Sequence, residues 1–146
     1  EYRRSRDLAL IVIDYAQLCR PTRKREMRHL EIRDISADIR GLATRLGVPV
    51  LCLAQLNRAS EARTDKRPAG TDIADGDSLL RDADWCVLIH REFVARKGAS
   101  AEEVRALRWR ADLIVAKNRE GMTGTAVCRF NRKSLRFEDQ IHEEAA

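Results

Sequence analysis

The chain has 146 residues, one domain's worth or less, with 44% hydrophobic residues to form a core and 35% charged residues to solvate its surface. A net charge of +5 favours an anionic partner, but 23 acidic residues among 28 basic ones dilute that field, so charge alone does not assign nucleic-acid binding. The cysteines (Cys19, Cys52, Cys86, Cys128) form no C-x-x-C pair and the histidines (His29, His90, His142) are scattered, which argues against a disulfide framework or a metal centre; no signal peptide or membrane-length apolar run is present, so the expected compartment is the cytoplasm, with no membrane partner.

Basic residues cluster at Arg3, Arg4 and Arg6, where a solvated face is expected, and again at Arg20, Arg23, Lys24, Arg25 and Arg28. Leu8 to Asp14 is a β-branched apolar run ending in an acid, the pattern of a strand buried on both faces in a parallel sheet. Met27, Leu30, Ile35, Ile39, Leu42 and Leu46 recur at three-or-four spacing, which predicts a helix with one apolar stripe. Gly47 can cap it in the left-handed conformation and Pro49 stops it. Val50 to Ala54 is a second buried strand, so strand, helix and strand form a crossover and the two strands run parallel.

Asn57 to Ser78 is polar, carries Pro68, Gly70 and Gly76, and has neither period; it reads as one long loop. Trp85 to Ile89 is a third strand. Glu92 to Trp109 is charged, with a break at Gly98–Ser100 and a helical patch from Ala101 to Leu107. Leu113 to Ala116 is a fourth strand; Gly121 and Gly124 permit a tight return into Thr125–Phe130, and Asn131–Ser134 turns again before Leu135–Phe137. The fold class is therefore α/β, mainly a parallel sheet with flanking helices and a C-terminal antiparallel meander. Residues 138–146 are an acidic tail whose end, His142 to Ala146, is expected to fray.

Three polar features stand at strand ends, where ligands of open parallel sheets gather. Asp14 could hold Mg²⁺ through its waters beside nucleotide phosphates, or cap the following turn. Gln55, ending the second strand, emerges on the same edge if the crossover holds. It could orient water or sense a terminal phosphate, or tie down its own loop. Lys117 and Arg119 are two apart on a strand and project together, a pair suited to phosphate charge or to surface ion pairing.

Taken together, Leu10–Leu18 (LIVIDYAQL), the helix around Ile35–Ser36, Val48–Arg58 (VPVLCLAQLNR), Asp65–Pro68, Arg81–Asp84 and Ile114–Gly124 (IVAKNREGMTG) resemble the motor of DnaB-type replicative DNA helicases. The similarity runs in order and at the family's spacing from about Leu8 to Phe137, closing on Phe130-Asn131 and Arg136-Phe137. Its most specific part is the Ala-Lys-Asn-Arg element. The resemblance implies a RecA-like fold, with residues 1–137 as the C-terminal part of the ATPase domain from Walker B onward. It further implies a homo-hexamer around single-stranded DNA, ATP and Mg²⁺ at subunit interfaces, and a primase or helicase loader as further partners. On matched positions Asp14 is the magnesium ligand and Gln55 the sensor between phosphate and DNA loop. Arg119 is an arginine finger for a neighbour's ATP, with Lys117 beside it. The segment after Gln55 corresponds to a DNA-gripping channel loop.

Two departures stand out. Where the family reads Asp-Leu-Arg-Glu-Ser-Gly, this chain has Asp72-Ile-Ala-Asp-Gly-Asp77: alanine replaces the arginine and Asp77 the glycine. That change weakens phosphate contact unless Arg58, Arg63, Lys66 or Arg67 compensates, and leaves Gly76 and the nearby backbone as expected DNA contacts. Second, no G-x-x-x-x-G-K-[ST] occurs, so no phosphate cradle is present and these residues alone are expected to hydrolyse no ATP. The alternatives are an ATPase-dead short partner presenting its Lys117/Arg119 edge, or another RecA-like branch.

Overall fold

The computed structural model describes residues 8–22, 24–64, 66–91, 98, 100–102 and 107–139. The basic cluster at Arg3, Arg4 and Arg6, together with Arg23, Asp65, most of the charged stretch 92–106 and the tail beyond Asp139, lies outside the described residues. The chain divides into two units, one of residues 1–57 and 71–83, the other of residues 58–70 and 84–146.

In the first unit, strand β1 (Ile11–Ile13) pairs in parallel with β2 (Val50–Cys52), in the register Ile11 to Val50, Val12 to Leu51 and Ile13 to Cys52. Helix α1 (Arg28–Leu46) makes the crossover between them, as its periodicity predicts. Its buried side is centred on Ile32, Ile35 and Ser36. Ile32 is fully buried although it falls outside the predicted stripe, whereas Met27 precedes the helix and is exposed. The helix ends at Gly47, whose φ of 64° is the left-handed cap expected, with its N–H donating to the Ala43 carbonyl at 2.9 Å. The strands are not buried on both faces as anticipated. Val12 and Leu51, register partners, are 56% and 55% exposed, because no described residue of this unit covers that face.

Helix α2 (Asp77–Asp82) begins at the end of the Asn57–Ser78 stretch that reads as loop and continues through residues to which the sequence assigns no element. Six residues are too few for a helical period to show. It packs on α1, where the Ser36 hydroxyl donates to Asp82 Oδ2 at 2.7 Å and lies 3.2 Å from the Ser78 carbonyl. The remainder of that segment also holds single 3-10 turns at Arg58–Ala62 and Gly70–Asp72.

The second unit is a four-stranded antiparallel sheet in the order β3 (Trp85–His90), β4 (Arg110–Asn118), β5 (Gly124–Asn131), β6 (Arg136–Asp139). The meander therefore begins one strand earlier than its turn signals indicate, since β3 pairs with β4 rather than with the parallel pair. Strand β6 also runs past the boundary placed at residue 137. Leu88 and Ala111 are buried here, with Asp112 at 2% exposure beside them. Phe130 and Phe137 pack with tilted rings across the last hairpin, their centres 5.0 Å apart, and the Arg91 guanidinium lies 4.2 Å from the Phe130 ring centre. All four cysteines are free and half-buried; burial pushes the thiols of Cys52, Cys86 and Cys128 up. Among the described residues no helix is long and apolar enough to cross a membrane.

Candidate functional site

The ladder between β1 and β2 continues past the strands and holds the chain just beyond them. The Leu53 N–H donates to the Ile13 carbonyl and the Ala16 N–H to the Leu53 carbonyl, both at 2.9 Å. Asp14 is thereby held at one parallel strand end while Gln55 follows the other, on the same edge of the pair, as the crossover reading requires. Both side chains are exposed. Among the described residues, neither the Asp14 carboxylate nor the Gln55 amide has a hydrogen-bond or ion-pair partner, so neither the capping role nor the loop-tying role is filled by these groups.

The tying is done by Gln17, a residue that the sequence pattern does not single out within the LIVIDYAQL stretch. Gln17 lies in the 3-10 turn Ala16–Leu18 just after Asp14. The Gln55 backbone N–H donates to Gln17 Oε1 at 3.1 Å, and Gln17 Nε2 donates to the Ala74 carbonyl at 2.9 Å. Leu56 and Ile73 form an antiparallel bridge between the same two segments, flanked by hydrogen bonds from Ala74 N–H to the Gln55 carbonyl (2.9 Å) and from Asn57 N–H to the Asp72 carbonyl (2.6 Å). The residues after the candidate sensor are thus zipped to residues 72–74, at the stretch that departs from the family pattern.

Gly76 is buried in this loop, and its need for glycine comes from crowding: a Cβ there would fall 2.1 Å from Ile73 Cγ2. That packing role differs from the DNA contact expected of it. Of the expected DNA-binding cations, all in the second unit, Arg58 is exposed on its 3-10 turn and Lys66 adopts a left-handed φ of 50°. Arg63 Nη1 donates to the Arg67 carbonyl at 3.0 Å. Arg67 is committed: its guanidinium donates to Asp112 at 2.6 Å, while Arg110 donates to the other carboxylate oxygen at 2.9 Å. Burial pushes the Asp112 pKa up, but the hydrogen bonds and charges of Arg110 and Arg67 outweigh it and hold the carboxyl below its usual range.

Lys117 is the last residue but one of β4, half-buried opposite Cys86, and Arg119 follows the strand. The Arg119 backbone N–H donates to the Asp84 carbonyl at 2.9 Å, and its guanidinium pairs with the Asp84 carboxylate at 2.8 Å, with the side chains 42% and 70% exposed. Ion pairing and availability are therefore both present: the pair is solvent-facing and weak. Asp84 itself carried no expected role.

An acid and an amide at neighbouring parallel strand ends, joined through a helical crossover and followed by an antiparallel meander, place the chain in the RecA-like α/β class. The description "DnaB-like helicase C terminal domain" matches residues 1–139, and the chain belongs to that family. The replicative DNA helicase DnaB of Buchnera aphidicola (subsp. Acyrthosiphon pisum) is 38% identical over 138 residues, covering 94% of this chain and 29% of that protein. The DnaB helicase of Helicobacter pylori is 33% identical over 162 residues, covering 92% of this chain and 33% of that protein. A solved DnaB-like replicative helicase, described with its interactions with primase, matches with a TM-score of 0.79 at 31% identity, over 90% of this chain and 30% of that one. The chain spans about a third of the length of these relatives.

Proposed function

We propose that these residues are part of an ATP-driven replicative DNA helicase motor, a homo-hexamer that unwinds duplex DNA by translocating on single-stranded DNA, with a primase or helicase loader as a further partner. The observation that carries the reading is the pairing of Asp14 and Gln55 on one edge, each with its side chain unengaged among the described residues. Mg²⁺ keeps most of its waters and needs only one or two carboxylates beside phosphate oxygens, so a lone exposed Asp14 fits it. No described cluster of three or more His, Cys, Asp or Glu side chains offers an all-protein cage instead. Bound with ATP, Mg²⁺ supplies charge neutralisation at the phosphates.

In this reading Asp14 holds the metal's waters and Gln55 offers its amide to the terminal phosphate or to the water beside it. Arg119 exchanges its exposed partner Asp84 for a neighbouring subunit's phosphate, with Lys117 adding charge. Such an exposed pair is worth roughly 0–1 kcal/mol, so the exchange is easily driven. Arg58, Arg63 and Lys66 contact the DNA backbone electrostatically, while Arg67 builds the loop through Asp112.

Because no G-x-x-x-x-G-K-[ST] occurs among the 146 residues, they alone should turn over no ATP. In the intact polypeptide carrying them, Asp14→Ala should abolish Mg²⁺-dependent turnover and DNA unwinding. Unwinding that survives Asp14→Ala would refute the proposal.

A further inference from the structure

Gln17 is half-buried, and its amide spends both of its ends on main chain far away in sequence. Oε1 accepts from Gln55 N–H at 3.1 Å; Nε2 donates to the Ala74 carbonyl at 2.9 Å and sits 3.4 Å from the Gln55 carbonyl. The Gln55 carbonyl in turn accepts from Ala74 N–H at 2.9 Å. The turn that carries Gln17 is itself anchored, because Arg28 Nη2 donates to the Gln17 carbonyl at 2.5 Å while Arg28 Nη1 pairs with Glu31 at 2.7 Å. One side chain therefore meets three places: the turn behind Asp14, the main chain of Gln55, and the loop ending at Gly76.

The geometry asks for glutamine. One group must be a donor and an acceptor at a fixed separation, and both partners are backbone atoms. The main-chain ladder of Ala74 to Gln55 and Asn57 to Asp72 fixes the two segments to each other, but it does not tie them to the turn that follows Asp14. Gln17 supplies that tie by bonding both strands of the ladder at once, so displacement of the turn behind Asp14 moves Gln55 and Ala74 together. The tie uses the carbonyl of residue 74 and does not depend on its side chain, which here is only a methyl.

We propose that Gln17 is a positioning residue that couples the Asp14/Gln55 edge to the 72–76 loop, transmitting nucleotide state to the DNA-facing side. This rests on the reading of Gln55 as nucleotide sensor and of that loop as part of the DNA grip. It adds a coupling element between the two that touches neither ligand.

The test is made in the intact polypeptide with MgATP and oligo(dT) as the DNA probe, reading ATP turnover with saturating DNA divided by turnover without it. Gln17→Glu keeps the size and the acceptor for Gln55 N–H but removes the donor to Ala74. Gln17→Leu removes both. The stimulation ratio should fall about fivefold or more in Gln17→Glu, the lower end of typical couplings between sites, and further in Gln17→Leu. Nucleotide-free affinity for oligo(dT) should not change in Gln17→Leu, which alters no charge. If Gln17→Leu fails to fold, the near-isosteric Gln17→Glu decides. Gln55→Ala separates the sensor role from the coupling role. A wild-type ratio in Gln55→Ala would refute the sensor reading itself. Loss of stimulation in Gln55→Ala with a wild-type ratio in Gln17→Glu would overturn the coupling role of Gln17 alone.

Discussion

Gly76→Ala tests how the loop behind the candidate sensor is held. The φ of −105° at Gly76 is open to any residue, so the backbone conformation does not demand glycine. Space does. A Cβ at this position would fall 2.1 Å from Ile73 Cγ2, 2.7 Å from Ile73 Cβ and 3.2 Å from the Ile73 carbonyl oxygen. Ile73 is 8% exposed and its neighbour Asp72 2%, so the isoleucine has no open side to retreat into. Overpacking of this kind typically costs about 1–3 kcal/mol, and the depth of the overlap places Gly76→Ala at about 2–3 kcal/mol. The strain should act locally, because the Gly76 carbonyl accepts the Leu80 N–H at 2.9 Å and so starts α2. Hydrogen exchange at the Leu80 and Ala83 amides should accelerate roughly 30- to 150-fold, since 1.4 kcal/mol is a factor of ten. Gly124→Ala is the control, as nothing lies within 4 Å of its would-be Cβ. Removing Ile73 Cγ2 by Ile73→Ala in the Gly76→Ala background should make the double change less costly than the sum of the singles by about 1 kcal/mol. Equal exchange in Gly76→Ala and Gly124→Ala would refute the steric argument.

Three further outcomes are expected. Arg67→Ala leaves Asp112, 2% exposed, with only Arg110 among the described residues, and should lower stability by about 1–2 kcal/mol in urea unfolding, discounted because Arg67 is itself 35% exposed. The Asp112 pKa is depressed in the folded state, so its contribution is fully present above the unfolded carboxylate value of about 3.9 and is lost as pH falls through the folded one. The gap between wild type and Arg67→Ala should therefore hold near neutrality and narrow below about pH 4, as followed by urea midpoints across pH. Arg119→Ala should lower DNA-stimulated ATP turnover by about 10³ or more, whereas Asp84→Asn, which removes only an exposed pair, should change stability by less than about 1 kcal/mol in the same unfolding assay. Binding of oligo(dT) should weaken steeply with salt, and Arg63→Ala and Lys66→Ala should each reduce the log–log slope by about 0.7; an unchanged slope would remove them from the DNA surface.

The features legible in the sequence are those whose causes are local. The β1–α1–β2 crossover follows from apolar runs and from Gly47 and Pro49, each acting within a few residues of itself. The direction of β3 does not, because an apolar run reports burial and says nothing about which strand pairs with it. Helix α2 is hidden by its length and by the polar stretch before it. The one exposed member of the α1 stripe has a related cause: Met27 fits the spacing, but it stands outside the helix as its N-cap residue. Arg67 and Gln17 show the deeper limit. Each reads as a surface polar residue until a partner 45 or 57 residues away is brought to it by the fold. A weak signal does exist for Gln17, an amide enclosed by Ala16 and Leu18 three residues after a candidate metal acid.

The departure at residues 74–77 takes a different meaning once those partners are known. Residue 74 acts through its main chain, whose N–H binds Gln55 and whose carbonyl binds Gln17, so alanine there removes a cation without loosening the tie. Asp77 is the first residue of α2, where an acid opposes the partial positive charge of the helix N-terminus. The same substitution that places a negative charge near the loop therefore supports the helix that terminates it. Gly76, between them, has no room for a side chain because Ile73 occupies the space of a Cβ. In the proposed motor the loop therefore holds its shape through main-chain groups while carrying no cation at residue 74, and the expected contacts with DNA phosphates are those of Arg58, Arg63 and Lys66. Exchanging Ala74 for arginine should then raise affinity for oligo(dT) with a steeper salt slope, while the hydrogen exchange of the Gln55 and Ala74 amides stays unchanged. A change in that exchange would mean that the side chain at 74, and not only its backbone, takes part in the tie.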